Sequence, residues 1–346
     1  MYQIDTIESI TIEATNFCNA KCPQCARYNH YGELQKDLPL MHINTNNLLN
    51  LPLQKMKSLK KIKFNGNYGD PLMHPQIDKI FETFQNYAIT VSTNASLRSI
   101  AWWEKLAKYN MKVKFAIDGL EDTHSLYRRN TDYKKIMDNA KAFINAGGNA
   151  EWQYIIFKHN EHQVDEAKLL SEKLGFKGFV FQYSDRFLVA NETPVYENKK
   201  IAYYLESATK QKTMHELSGT KEGTFYTKNF LNNENMTSEI QCPWAEAKRL
   251  QISADSFVFP CCFMLNVLVD KPIHKKLWEK IIKSYSKVNL NYHKFEDIIT
   301  SEVFQKLIPD SLKNKPHITC IEHCAKNFSK GKLFDQEQTV LNSVND

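Results

Sequence analysis

Eight cysteines fall into a few tight groups along the chain. Cys18, Cys22 and Cys25 form C-x3-C-x2-C in CNAKCPQC. Cys242 stands in QCPWAEAKRL, Cys261 and Cys262 in VFPCCF, and Cys320 and Cys324 in TCIEHC; residues 26–241 contain none. Structural cysteines of a core would be scattered among its strands and helices, whereas clustering points to thiolate ligation of metal. A structural zinc site needs four closed ligands, commonly two C-x2-4-C pairs. The first group supplies three thiolates, and His30 lies five residues beyond the last of them. Three thiolates suit a [4Fe–4S] cluster whose fourth iron stays open to a small ligand. Spacing alone leaves zinc and cluster both open.

The elements that position these groups follow from periodicity. Six segments read as strands: 9–14 (SITIEA), 61–65 (KIKFN), 88–92 (AITVS), 111–117 (MKVKFAI), 151–157 (EWQYIIF) and 178–183 (GFVFQY). Between them run amphipathic stretches. Residues 75–87 place Ile77, Ile80, Phe81 and Phe84 on one face; residues 132–146 place Ile136, Ala140, Phe143 and Ile144 likewise and stop at Gly147–Gly148. Strands alternating with helices at this spacing predict a parallel sheet with right-handed crossovers, either open or closed into part of a barrel. The loops after the first four strands carry the cysteine triad, GNYGDP (66–71), TNAS (93–96) and DGLEDTHSLYRR (118–129). Strand C-terminal ends are where α/β proteins build their sites, so these four loops predict one pocket.

Further along, residues 185–239 are polar and read as a connection, helical around 199–210. A hairpin follows (249–253 and 257–259), with Cys242 before it and Cys261 closing it. A helix is expected over 295–307, leading to Cys320 and Cys324. His74 before Pro75 reads as structural, and Asp118 before Gly119 as a strand-ending turn. The lysines of 271–287 read as a solvated helix face rather than an anion-binding surface.

The chain has 346 residues, enough for two domains, with 20 Phe, 16 Tyr and 5 Trp for a core and a net charge of +6. Acids in MYQIDTIESITIE and the lack of a run of ~20 apolar residues predict a cytoplasmic protein that neither crosses nor enters a membrane. In a reducing compartment a disulfide framework is not expected.

These motifs, in this order, resemble radical S-adenosylmethionine (SAM) enzymes. The triad after the first strand matches that family's signature, GNYGDPLMHP is similar to its G-G-E-P-type motif, and STNASL to its ribose motif. IDGLEDTHSLYR resembles the fourth-strand segment of a subclass whose C-terminal part is a twitch, or half-SPASM, auxiliary-cluster domain. The resemblance implies an α/β fold, a partial (β/α)6 TIM-type barrel with a small C-terminal α+β iron–sulfur domain. It divides the chain into a barrel at 1–185, a connecting segment at 186–240, an auxiliary-cluster domain at 241–330 and a tail at 331–346.

It further implies that Cys18, Cys22 and Cys25 ligate three irons while SAM chelates the fourth. Asp70 would accept from the methionyl ammonium, with Gly66 and Gly69 allowing close backbone approach. Ser92, Thr93 and Asn94 would meet the ribose hydroxyls, and Arg128 the methionyl carboxylate. Cys242, Cys261, Cys320 and Cys324 would hold a second [4Fe–4S] cluster. Neighbouring strand residues point to opposite faces, so only one of Cys261 and Cys262 readily meets Cys242 across the hairpin, and the family's pattern implies Cys261. The expected enzyme cleaves SAM reductively to a 5′-deoxyadenosyl radical that takes hydrogen from a peptide or protein, with a nucleoside, nucleotide or nucleic acid as the alternative substrate. An electron donor such as flavodoxin or ferredoxin is implied as partner. A zinc-stapled binding module is the rival from another class. Four departures from the family pattern stand out: Gln24 where an aromatic residue is common, Asp70 for Glu, Ala116 for a hydroxyl residue, and C-x3-C at the last pair.

Overall fold

The computed structural model describes residues 2–184, 186–187, 190–210, 239–264, 285–313, Cys320, Cys324 and 338–341. Its strands are β1 (Ser9–Ile12), β2 (Lys61–Phe64), β3 (Ala88–Thr93), β4 (Met111–Ala116), β5 (Asn149–Ile156) and β6 (Gly178–Tyr183), then β7 (Glu192–Glu197), β8 (Lys200–Glu206), β9 (Arg249–Ile252), β10 (Val258–Phe259) and β11 (Gln338–Leu341). The six strands read from periodicity are β1 to β6. Alternating with them are α1 (Thr45–Leu49), α2 (Ile77–Thr83), α3 (Ile100–Leu106), α4 (His124–Tyr127), α5 (Tyr133–Asn145) and α6 (Val164–Leu174). The fold is α/β, a partial (β/α)6 barrel with a C-terminal iron–sulfur domain.

Contacts gather the chain into two compact units. The first comprises the chain up to Phe17, Lys36–Val91 and the described part of 236–332. In it β1 pairs parallel with β2 (Ile10↔Ile62, Ile12↔Phe64), and β2 with the start of β3. On its other edge β1 pairs parallel with β9 (Ile10↔Leu250), which carries β10 antiparallel beside it. The expected hairpin is therefore an extension of the sheet that begins at β1. Ile10, Ile12, Ile62, Phe64, Leu250 and Ile252 are fully buried, as are Ile77, Ile80 and Phe81 of α2. The Phe64 and Phe81 rings meet edge-on at 5.1 Å. The alternate face of β1 and β9 is polar yet also buried, through Ser9, Thr11, Glu13 and Gln251. On this face Gln251 Nε2 donates to Glu13, while Ser9 Oγ and Gln251 Oε1 are buried without a partner among the described residues.

The second unit comprises Cys18–Gln35, the described part of 92–235 and β11. β4, β5 and β6 are parallel (Phe115↔Trp152, Trp152↔Phe179), and β11 closes on β6 antiparallel. An apolar layer of Trp103, Phe115, Phe143, Trp152 and Phe179 is fully buried. Side-chain caps start the helices: Ser99 accepts from Trp102 N–H and Asp132 from Lys135 N–H. Gly175, at φ 86°, ends α6 in the left-handed region that glycine adopts without strain. On the polar face, Glu151 is paired with both Lys112 and Lys114.

Three expectations need correction. Residues 199–210 are not helical, because β7 and β8 form an antiparallel hairpin. Asn198 and Lys199 take positive φ (48° and 62°), as a two-residue hairpin turn requires. The buried residues Val195 and Leu205 and the half-buried Tyr203 follow period two, which the surrounding lysines obscured. The helix expected over 295–307 stops at Thr300, and a π-helical turn, Val303–Leu307, follows. The segment expected as a tail contributes β11. Of the lysine-rich stretch 271–287, all but the start of a 3-10 turn at Tyr285 lies outside the described residues.

Candidate metal centres

The C-x3-C-x2-C loop leaves β1 and has neither strand nor helix of its own. Successive turns fold it, with Cys25 N–H donating to Cys22 C=O (3.0 Å) and Tyr28 N–H to Cys25 C=O (3.0 Å). Arg27 Nη1 reaches back to the Cys18 carbonyl at 3.2 Å, and Lys21 N–H donates to Arg129 C=O at 2.8 Å. Cys22 is buried in a nest of Ala20, Tyr127, Phe157, Phe187, Val195 and Leu205, with Cys18 and Cys25 at its edge. Burial pushes the Cys22 thiol up to about 11, against the opposing charge of Arg128. None of the three is in a disulfide.

Two of the sulfurs receive N–H donors. Asn94 Nδ2 lies 3.7 Å from Cys18 Sγ, and Arg128 Nη1 lies 3.8 Å from Cys22 Sγ. A soft three-thiol set with donors aimed at its sulfurs fits thiolate ligation of iron. Gln24, the departure between the last two cysteines, also has a use. Its side chain accepts from Ser184 Oγ (2.7 Å) and donates to Thr193 Oγ1 (3.2 Å), tying the loop to the end of β6 and to β7. Arg186 Nη1 donates to its backbone carbonyl.

Thr93 and Asn94 form the turn after β3. Thr93 Oγ1 accepts from Ala95 N–H and Asn94 Oδ1 from Ser96 N–H, both at 3.0 Å; Ser92 is half-buried beside them. Arg128 is held by an ion pair to Asp118, Nε to Oδ2 at 2.5 Å. Asp118 is fully buried, and its Oδ1 accepts from Ile155 N–H at 2.5 Å. Burial pushes its carboxyl up, against Arg128 and that N–H. It is thus no ordinary strand-ending turn. The sequence signal that could have found it is an acid ten residues before an arginine across a helical turn. His124 closes the arrangement: its Nδ1 accepts from Asp118 N–H (3.3 Å), so the Nε2–H faces Thr131 Oγ1 (3.1 Å).

In the other unit, Gly66, Gly69 and Asp70 shape the loop after β2. A Cβ on Gly66 would stand 2.1 Å from Gly69 O, and one on Gly69 would stand 2.0 Å from Thr15 O. These glycines are needed because backbone already fills the Cβ positions. Asp70 N–H donates to Phe17 C=O at 2.8 Å, which locks the loop to the residue preceding Cys18. Asp70 Oδ1 accepts from Leu72 N–H at 3.0 Å and caps a 3-10 turn, Pro71–Met73. His74 is structural, as its sequence context predicts: Nδ1 accepts from Gln76 N–H and Nε2 faces Ile43 C=O. Glu13 was not anticipated. It is fully buried at the end of β1 and accepts from Asn67 N–H (3.1 Å) and Gln251 Nε2 (3.3 Å). Burial raises its carboxyl to about 8. Its place on the same face as Ser9 and Thr11 was the available signal.

The C-terminal cysteines gather in this unit as well. Cys242 caps a short helix, Pro243–Glu246, accepting from Ala245 N–H at 3.4 Å. Gln241 N–H donates to Cys324 C=O at 2.9 Å, and the Cys324 thiol donates to Cys242, lowering Cys242 to about 6 and raising its own pKa. Burial raises the Cys261 thiol well above its ordinary range, with Cys262, Cys320 and Cys242 near it, and Cys324 lies near Cys261. Cys262 instead senses Glu13, and burial raises its thiol to about 12. Among the described residues, no three His, Cys, Asp or Glu side chains are grouped to hold one metal ion.

Residues 12–170 match the family model of the radical SAM superfamily, and residues 242–326 that of the SPASM iron–sulfur cluster-binding domain. The chain is a radical SAM enzyme. It uses a [4Fe–4S] cluster with SAM, and its SPASM domain carries an auxiliary iron–sulfur cluster. No curated protein sequence matches it significantly. Among solved structures, native anSMEcpe with bound AdoMet and a peptide is 15% identical, with a TM-score of 0.54, covering 92% of this chain and 88% of that one. Streptococcus suis SuiB bound to precursor peptide SuiA is 15% identical, with a TM-score of 0.52, covering 92% and 67%. At such identity these radical SAM proteins share the fold. No helix among the described residues is long and apolar enough to cross a membrane.

Two outcomes follow. Gly69→Ala forces the Thr15–Phe17 backbone to shift and should cost about 3 kcal/mol; a lower Tm and reduced iron uptake on reconstitution are expected. Burial holds the His124 imidazole near 3, below its ordinary 6.5, so the unfolded chain takes up the proton first. Its contribution to stability is full above pH 6.5 and is lost as pH falls toward 3. His124→Gln should flatten the fall of Tm below pH 6.5 in thermal melts.

Proposed function

We propose that Cys18, Cys22 and Cys25 ligate the SAM-binding cluster, and that Cys242, Cys261, Cys320 and Cys324 ligate the auxiliary one as a second [4Fe–4S] centre. The observation that carries the first assignment is the triad itself. Three cysteines on one loop are wrapped by an apolar nest, with side-chain donors on two of their sulfurs. Cys18, Cys22 and Cys25 would hold the cluster, whose reduced form would supply the one electron that cleaves SAM to methionine and a 5′-deoxyadenosyl radical able to take hydrogen from substrate. Four thiolates at the second site would close its coordination and suit it to electron transfer. The Cys261 environment, which includes Cys242, Cys320 and Cys324 while Cys262 senses Glu13, supports Cys261 as the ligand.

Asp70, Gly66 and Gly69 serve the SAM methionyl end in this reading, and Ser92, Thr93 and Asn94 the ribose. The barrel takes 1–185, the connection 186–240 and the auxiliary-cluster domain 241–330. The substrate is a peptide or protein, supported by the peptide-bound structures that share this fold. A flavodoxin or ferredoxin type of donor supplies the electron, and the cytoplasm, which keeps thiols reduced, is the compartment that suits eight cysteines outside disulfides.

Anaerobic reconstitution, dithionite reduction and addition of SAM should release 5′-deoxyadenosine. Intact zinc-loaded protein that releases none would overturn the assignment. Changing Cys18, Cys22 and Cys25 together to Ala should abolish release while about four irons per chain remain. In that background Cys262→Ala should keep this iron and Cys261→Ala should lose it.

A further inference from the structure

Arg128 is spent inward. Its Nε is committed to Asp118 and its Nη1 points at Cys22 Sγ, 3.8 Å away. Asp118 is in turn fixed by Ile155 N–H, and a closed ring of bonds holds the whole segment. Asp118 N–H donates to His124 Nδ1, the His124 Nε2–H faces Thr131 Oγ1, and Thr131 Oγ1 donates to the Arg128 carbonyl at 2.5 Å. A side chain held at both its backbone and its guanidinium has little freedom to turn elsewhere. Asn94 is held in the same way. Its Oδ1 accepts from Ser96 N–H and its Nδ2 is shared between Asn19 Oδ1 (2.9 Å) and Cys18 Sγ (3.7 Å). Each of two cysteines of the triad therefore meets one oriented donor, and one of those donors is a cation.

Hydrogen bonds to cluster sulfurs are among the determinants of iron–sulfur reduction potential, as is local net charge. Reduction adds one negative charge to the cluster and its thiolates. A donor or cation at a sulfur stabilises that reduced state more than the oxidised one, and so raises the potential. We propose that Arg128, locked by Asp118, and Asn94 are positioning residues that raise the reduction potential of the first cluster by donating to the Cys22 and Cys18 sulfurs. The inference rests on the reading of Cys18, Cys22 and Cys25 as that cluster's ligands. It gives Arg128 a task that is complete before SAM arrives.

The test is an EPR-monitored redox titration of the reconstituted full chain without SAM. The relevant signal is identified beforehand as the one that SAM alters. A wild-type chain with no SAM-responsive signal would sink the cluster assignment itself and is distinguished in that way. Arg128→Gln removes the cation and, being a shorter side chain, withdraws the donor from Cys22 Sγ, and should make reduction about tenfold less favourable, a fall of ~59 mV for a one-electron couple. Arg128→Lys keeps the cation and loses the fork, so its shift should have the same sign and be smaller. Asn94→Ala should also lower the potential. Iron content and SAM-binding affinity are measured on every variant. Midpoints equal to wild type in iron-loaded Arg128→Gln and Asn94→Ala would overturn the proposal, with weakened SAM binding then assigning Arg128 to the methionyl carboxylate. If Arg128→Gln takes up no iron, Arg128→Lys and Asn94→Ala decide the matter on the same criterion.

Discussion

Backbone amides and carbonyls of the loop that carries Cys18, Cys22 and Cys25 have no ladder to pair with, and buried polar groups must be paired somewhere. Much of the second unit is arranged to meet that need. Arg129 supplies a carbonyl to Lys21, Arg27 reaches the Cys18 carbonyl, and Gln24 is held by Ser184 and Thr193. A loop stitched this way presents its sulfurs at fixed positions. Fixed ligands are what a multi-iron centre requires, because orientation of the ligand shell tunes the metal.

The same economy governs the buried carboxylates. Glu13 and Asp118 both have no exposure, and an isolated charge at such depth costs several kcal/mol. Asp118 is offset by a guanidinium and a backbone N–H. Glu13 is offset only by N–H groups and an amide, so burial leaves its pKa near 8. The contrast explains why one residue belongs to an ion pair facing the thiols and the other to a neutral hydrogen-bonding post. That post steadies the turn at Asn67, two residues before the glycine that packs on Thr15.

The joining of β9 to β1 adds a constraint on the C-terminal cysteines. Residue-by-residue parallel pairing from Ser9↔Arg249 to Ile12↔Ile252 fixes where Cys242 and Cys261 emerge at either end of the hairpin. The strand alternation expected to separate Cys261 from Cys262 does not apply, because β10 ends at Phe259, Cys261 lies in the bend that follows and Cys262 opens a helical turn. The two thiols nevertheless differ in surroundings, Cys261 lying near Cys320 and Cys242 and Cys262 near Glu13.

Sequence by itself determined the elements whose signals are local. The period-two strands β1 to β6 and the cysteine spacing were legible because each depends on residues a few positions apart. The motif order after successive strands was enough to place the chain among radical SAM enzymes. Tertiary structure alone decided what depends on distant partners. The hairpin at β7–β8 was hidden because charged residues on its open face mask the alternation beneath. That backbone folding back from Thr15 and from Gly69 itself fills the Cβ positions of Gly69 and Gly66 is visible only in the fold. Arg128 offered a fork to any anion in reach, and only folding showed that Asp118 and the Cys22 sulfur claim it first. Long-range pairing of charge is invisible to spacing, because the energy that selects a partner depends on distance and burial, which the linear chain does not carry.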